Sequence, residues 1–446
     1  MLKSCFYIPH LIRKNMFNIV LVSSREYIKY AAVVITSVVH NTDKTKKFKD
    51  FFDENLPCMK NLSLQDSVNN TGGGGGSIKS NNEILTYHAL DYDTLSDYEK
   101  QEGYIFHIFT QNLSKDSNTK DQSLESNLQI LQDDLNKIYP CSIKVHYIND
   151  SLFENCEKWV GAYAVYYRLR ITNEVDSNIK YVLSLECDML VNADIRGLFT
   201  IDMESKFAYV VHDYFFHTQK IIQHKYNKDK FLNYDKHYFN AGFIFFNLES
   251  CRNINIWEQA KQLFKDYQMD FAEQDVFNYI LKGNVGILSP CFNYMSFAFG
   301  NYPIRITKDE NQQNCDMYYT RKQLECGLEN VVVYHYTPYK PWSPPIDSKY
   351  PSRYNYAKVL KAIHLWEKFA KITPVYSGEI QNVLDSIKEN EFDNYTIFIA
   401  KKLENIESNS KKDLENLAKK IRKRMKILII SQISLFTIMI LLIFKM

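Results

Sequence analysis

The chain has 446 residues, 45% hydrophobic and 14% aromatic, which is enough for two or three domains with a large core and excludes a disordered or fibrous protein. Fifty-four Lys and Arg nearly balance 52 Asp and Glu, and a formal charge of +2 gives no case for a nucleic-acid binder. The nine cysteines include no Cys-x-x-Cys pair and are odd in number, so neither a zinc knuckle nor a disulfide framework is expected, and a reducing compartment is.

Residues 1–16 read as an N-terminal extension without the unbroken apolar stretch of a signal peptide, since Pro9, His10 and Arg13 interrupt it. Asn18-Ile-Val-Leu-Val-Ser23 predicts a buried strand. Tyr30 to Asn41, with Ala31, Val34, Ile35, Val38 and Val39 on one side, predicts the helix after it. The loop between them, Ser24-Arg-Glu-Tyr27, contains no Gly-x-Gly-x-x-Gly and is not a dinucleotide fingerprint. Tyr27 either stacks on a base or is an ordinary half-buried loop tyrosine. From 44 to 100 the pattern dissolves into polar residues around five consecutive glycines, Gly72 to Gly76, and reads as a flexible insertion.

Order resumes with a strand at Tyr104 to Phe109, a helix over Ser123 to Ile138, a strand at Ser142 to Tyr147 and a helix over Lys158 to Ile171. The next run, Tyr181 to Val191, is apolar except where it presents Glu186 and Asp188. Two carboxylates inside a buried strand would be costly, so they belong at its carboxyl end, where α/β sheets bind ligands. Two residues apart on extended backbone, they point the same way and could grip one hard divalent cation; alternatively one caps a helix and the other makes a salt bridge.

Strands follow at Phe207 to Asp213 and at Tyr238 to Asn247, the second opening with Asn240, Ala241 and Gly242. Glu273-Gln-Asp275 starts a helix, a place where acids are also favoured by capping and the dipole alone. Val331 to Tyr336 is a last strand, ending near His335, and Lys340 sits in the proline-rigid turn beyond it. Alternating strands and helices predict an α/β fold: a Rossmann-like, mostly parallel sheet with helices on both faces.

Taken in order, Ile19 to Tyr27, Tyr167-Arg-Leu169, Glu186-Cys-Asp188, Phe239-Asn-Ala-Gly242, Glu273-Gln-Asp275, His335-Tyr-Thr and Lys340-Pro-Trp342 resemble the family 8 retaining glycosyltransferases. That group includes bacterial lipooligosaccharide galactosyl- and glucosyltransferases and glycogenin. The resemblance implies a single-domain nucleotide-sugar transferase of the GT-A type over 17–345. It implies that Glu186, Asp188 and His335 hold manganese, or magnesium, on the diphosphate of UDP-galactose or UDP-glucose. It further implies that Lys340 contacts the diphosphate, Tyr27 and Ser24 the base, and Arg168, Asn240, Ala241 and Glu273 the donor sugar, with Gln274, Asp213 and Asp275 around the reacting carbon. Four departures stand out. Glu186 and Glu273 replace Asp, Ser24 stands where Asp commonly meets the base, and His335 and Lys340 are five apart where six is common.

Beyond Trp342 the resemblance fades into a helical, basic region, 346–426, whose last part, 401–426, carries ten Lys and Arg against four acids. Ile427 to Phe444 holds no charge and predicts a transmembrane or interfacial helix. By the positive-inside rule the catalytic domain would then be cytoplasmic, and the acceptor a saccharide linked to a membrane lipid, such as lipopolysaccharide or a glycolipid. Two other functions stay open: a catalytically weakened, membrane-tethered binding or scaffolding protein with the same fold, and a glycogenin-like enzyme that glycosylates itself.

Overall fold

The computed structural model describes residues 17–62, 84–111, 122–159, 161–204, 206–213, 220–234, 237–295, 319–337, 340–343, 356–386, 414–416, 418–423 and 425–426. The chain divides into two units, Met1–Ile346 with Tyr350–Val383, and Asp347–Lys349 with Leu384–Met446. The first therefore reaches beyond residue 345, the expected end of the transferase domain.

Strand β1 (Phe17–Val22) is buried at every position because it lies inside the sheet. A 3-10 turn, Arg25–Tyr27, then leads into α1 (Ile28–His40). Ala31 to Ile35 of α1 are all fully buried, so the helix is covered all round and not only on the expected apolar side.

Within 44–100, where a flexible insertion is expected, the described residues 44–62 and 84–100 carry packed side chains. Phe48, Phe51, Leu56, Met59, Leu85, Tyr87 and Leu95 are buried, and β2 (Lys60–Asn61) pairs with β3 (Thr86–Tyr87). Arg196, itself fully buried, donates to Glu102 at 2.6 Å, to Asp194 at 2.8 Å and to the backbone carbonyl of Asp43 at 2.7 Å. Widely spaced aromatic and aliphatic anchors, which show no period in the sequence, hold this segment down. Gly72 to Gly76 lie outside the described residues. Among the described residues a single disulfide joins Cys58 to Cys326 across 268 residues, although the sequence indicates no disulfide framework; no local spacing announces a pairing that only the fold creates.

The sheet continues through β4 (Tyr104–Gln111), α2 (Gln122–Asn136) and β5 (Cys141–Ile148). The helix expected over Lys158 to Ile171 is shorter and tighter: a 3-10 stretch, Ala164–Arg170, passes into the single turn α3 (Ile171–Glu174). The run from Tyr181 splits at its carboxylates into β6 (Tyr181–Glu186) and β7 (Met189–Val191), which belong to different sheets. Then come β8 (Ala208–His212), the hairpin of β9 (Ile221–Gln223) and β10 (Phe231–Asn233), and β11 (Phe239–Asn247).

Helices α4 (Leu248–Asn253), α5 (Ile256–Asp266) and α6 (Ala272–Ile280) follow. In α5, Ile256, Trp257, Ala260, Leu263 and Phe264 recur at helical spacing and are buried, each large side chain contributing roughly 1.5–3 kcal/mol. They meet Phe153, Tyr166 and Tyr167 of the adjoining turns and Val276 and Phe277 of α6 in one core on the sheet. The remaining elements are β12 (Val285–Ile287), β13 (Tyr294–Met295), α7 (Arg321–Glu329), β14 (Val333–His335) and α8 (Tyr356–Ile372).

The main sheet has the order β12-β8-β11-β6-β1-β4-β5, and β11 alone runs against its neighbours, in agreement with a mostly parallel α/β fold. A small second sheet, β13-β14-β7, sits at the carboxyl end of β6. Among the described residues no helix is long and apolar enough to cross a membrane; the anchor expected at 427–444 lies outside them.

Candidate active site

The site is built where β6 stops. Glu186 is its last residue, and the chain turns through Cys187 and Asp188 before entering the second sheet. Cys187 points away, its thiol donating to the Val22 carbonyl at 3.2 Å, and that leaves the two carboxylates on the other side. Strand β14 pairs antiparallel with β7 so that His335 stands opposite Met189, one residue from Asp188. As a result His335 Nε2 lies 3.1 Å from Glu186 Oε2 and 3.4 Å from Asp188 Oδ1.

Lys340, from the turn after β14, forms an ion pair with Asp188, and the Tyr336 backbone N–H donates to the Asp188 carbonyl at 2.9 Å. Burial disfavours charge on these groups, yet each finds an opposite partner. Lys340 and His335 hold the Asp188 carboxyl well below the usual carboxylate range, and His335 lowers Glu186. Burial works against the proton on His335, but Asp188 and Glu186 push it up to about 9.

These three residues fit a divalent ion. One ligand atom from each lies within 4.8 Å of the others, and His335 Nε2 is buried without a directed hydrogen bond. Two carboxylates with one imidazole suit manganese, which accepts nitrogen more readily than magnesium does. Gly242 makes room for the imidazole: a Cβ there would stand 2.6 Å from His335 Cε1.

The sugar-side candidates meet on β11 and α6. The pairing of β11 with β8 shifts register between Phe239 and Ile244, freeing Asn240 to Gly242 from that ladder. Asn278 of α6 pins the start of β11 by accepting from the Phe239 N–H at 2.7 Å and donating to its carbonyl at 2.8 Å. Gln274 Oε1 then accepts from the Ala241 N–H at 2.9 Å and from Asn240 Nδ2 at 3.2 Å. Its Nε2 donates to Asp213 Oδ2 at 3.2 Å. Ala272, at the start of α6, holds φ 42, a strained left-handed value directly beside Glu273 and Gln274.

Arg168 is 1% exposed and joins the two halves. It donates to the Ala241 carbonyl and lies 3.4 Å from Glu273 and 3.5 Å from Glu186. Burial pushes Glu273 up to about 8, with Arg168 offsetting part of the shift. Asp275 is the remaining residue expected around the reacting carbon. It is fully buried, with its oxygens taken by Lys220, by Tyr238 Oη at 2.5 Å and by the Phe271 N–H at 2.9 Å.

Tyr27 and Ser24 lie in the turn after β1. Tyr27 is 40% exposed, and its ring meets the edge of Trp342 at 6.0 Å, so the base-side and Lys340-side candidates adjoin. Behind them Tyr30 stacks on Trp342 at 3.8 Å, and Trp342 in turn packs on Trp366 of α8 at 5.2 Å. Sequence reasoning missed Asn293, Tyr238, Lys220 and Trp366. Asn293 left a signal, as one amide in the apolar run Cys291-Phe-Asn-Tyr-Met295; Trp366 left none beyond its helix.

Residues 18–344 match the model of glycosyl transferase family 8, and the chain belongs to that family. It is 26% identical over 178 residues to a putative glycosyltransferase of Haemophilus influenzae, covering 39% of this chain and 52% of that one. With General stress protein A of Bacillus subtilis it shares 28% over 199 residues, 43% of this chain and 63% of the relative. The matched parts thus span between about half and two thirds of these curated relatives. Among solved structures, the galactosyltransferase LgtC in complex with donor and acceptor sugar analogs superposes with a TM-score of 0.45 at 16% identity, over 78% of this chain and 96% of LgtC.

Proposed function

We propose that the chain is a metal-dependent retaining glycosyltransferase that moves a hexose, galactose or glucose, from a UDP-sugar to a saccharide acceptor held on a lipid. The observation that carries this reading is the convergence of Glu186, Asp188 and His335 beside Lys340 at the end of β6, with Arg168 linking Glu186 to Glu273, next to the Gln274 that donates to Asp213. Glu186, Asp188 and His335 would hold manganese or magnesium, which supplies positive charge to the diphosphate as its bond to the sugar breaks.

Lys340 adds a second cation there, and Tyr27 offers an exposed ring to the base. Arg168 and Glu273 set the sugar-side wall. Gln274 serves as an electrostatic stabiliser: a neutral amide is a poor nucleophile, and its carbonyl oxygen already accepts two hydrogen bonds. The acceptor proton then passes to the departing phosphate, on the face where the new bond forms. Asp275, held by Lys220 and Tyr238, positions the start of α6.

A lipid-linked acceptor is supported by the basic stretch 401–426 and the uncharged run to Phe444, which would keep the domain at a membrane surface. The test is release of UDP by the full chain from UDP-galactose and UDP-glucose, with and without manganese. Metal-dependent release that falls at least ~100-fold in His335→Ala is the expected outcome, on the scale of losing a charge-stabilising group. If neither donor is hydrolysed or bound at millimolar concentration, the reading fails.

A further inference from the structure

We propose that Asn293 is a positioning residue that aims His335 at the metal and couples it to the sugar-side amides, an inference that rests on the metal-dependent reading above. Asn293 is fully buried, between the 3-10 turn Pro290–Phe292 and β13. Its Oδ1 lies 2.9 Å from His335 Nδ1, and its Nδ2 donates to Asn240 Oδ1 at 3.0 Å. Both bonds go to side chains of the site.

Backbone groups fix which end of each amide faces where. The Gly242 N–H donates to Asn240 Oδ1 at 3.0 Å, so that atom is an acceptor, and the Asn293 atom facing it must be the NH₂. The other end of Asn293, facing His335, is then the carbonyl oxygen. A carbonyl can only accept, so His335 Nδ1 carries the proton and Nε2 is the atom aimed at Glu186 and Asp188. In the same way the Ala241 N–H fixes Gln274 Oε1 as an acceptor, which makes Asn240 Nδ2 its donor.

A continuous directed chain results: His335 to Asn293, Asn293 to Asn240, Asn240 to Gln274, and Gln274 to Asp213 and Tyr238. Every bond in it is 2.9–3.3 Å long. The metal ligand and the stabiliser of the reacting carbon are thereby held by one network, with Asn293 at the junction. An amide suits this place because it both accepts and donates. A carboxylate would hold the imidazole equally well but would turn a lone pair on Asn240.

Two variants of the full chain separate these roles, read by manganese titration followed through the EPR signal of the free ion and by UDP release. Asn293→Leu keeps the approximate shape and makes neither bond; manganese affinity is expected to fall about 10–100-fold, the usual effect of removing the partner of a ligating histidine. Asn293→Asp still accepts from His335 but cannot donate to Asn240 while ionised. It is expected to bind manganese at least as tightly as the unmodified protein, while kcat falls about tenfold at unchanged KM for the donor. A folded Asn293→Leu protein with unaltered manganese affinity overturns the inference. If that variant does not fold, Asn293→Asp decides: weakened manganese binding, or unchanged kcat, overturns it equally. Failure of the unmodified protein to bind manganese would instead strike the metal-dependent reading, and this inference with it.

Discussion

Gly242 shows how narrow the tolerances are at the residue scale. An added methyl would press on His335 Cε1 at 2.6 Å, on Asn240 Oδ1 at 2.8 Å and on Met189 Cε at 2.9 Å, and the first two cannot withdraw without disturbing the carboxylate–imidazole cluster or the amide chain. Gly242→Ala should therefore cost about 1–3 kcal/mol of stability, the range for overpacking a tight interior, and should weaken manganese binding as well. Denaturant unfolding and metal titration of the same sample would check both. Unchanged metal affinity would mean that His335 is not seated as described. Glu273 carries a different signature. Its carboxyl, pushed up to about 8 by burial, titrates near 4.3 in an unfolded chain, so the folded state holds its proton more tightly. The stability contributed by that proton is fully present below about pH 4.3 and is lost as the pH rises through about 8. Glu273→Gln removes the dependence. From pH 5 to pH 9 its stability should improve relative to the parent by up to a few kcal/mol, at ~1.4 kcal/mol for each tenfold difference in proton affinity between the folded and unfolded chains. A constant difference across that range, measured by urea unfolding, would contradict a protonated Glu273.

At the scale of elements, α8, which lies beyond the family match, is not an appendage. Trp366 of α8 is fully buried against Trp342, and Tyr336 Oη donates to the Ala362 carbonyl at 2.7 Å. Through Tyr30 and Trp342 this helix forms the back of the two turns that carry Tyr27 and Lys340. Trp366→Ala should cost about 3–5 kcal/mol, as large aromatic deletions from cores do. It should also raise the KM for the donor, because Trp342 loses its support. Thermal unfolding and donor kinetics would test this, and a variant with lowered stability but unaltered KM would reduce α8 to a structural brace. The Cys58–Cys326 disulfide plays a comparable role on another flank, tying the segment before β2 to α7.

At the scale of the whole molecule, the second unit raises the question of where the enzyme works. Its described helical residues, 414–416, 418–423 and 425–426, expose Leu414, Ile421 and Met425 among lysines and arginines. If the run to Phe444 enters a bilayer, the full chain should stay on anionic vesicles at about 1 M salt, where screening removes head-group attraction, and deletion of residues 427–446 should release it. Release of the full chain by salt alone would leave only an electrostatic contact.

The alternation of apolar runs with amphipathic helices was legible without coordinates because burial inside a parallel sheet imposes its own pattern. β1, β4, β6 and β11 all lie where that pattern places them. The carboxylates of 186 and 188 could be assigned to a strand end because charge cannot remain unpaired in a sheet. Tertiary structure decided what has no local period. The scattered anchors Phe48, Phe51, Leu56 and Tyr87 hold down a stretch that reads as polar, and Cys58 finds Cys326 from 268 residues away. Asp275 turned inward to Lys220, and Asn293 became the link between His335 and Asn240. Composition and periodicity report which residues leave water; which polar group each one then meets depends on distances between remote segments, and only the folded chain sets those.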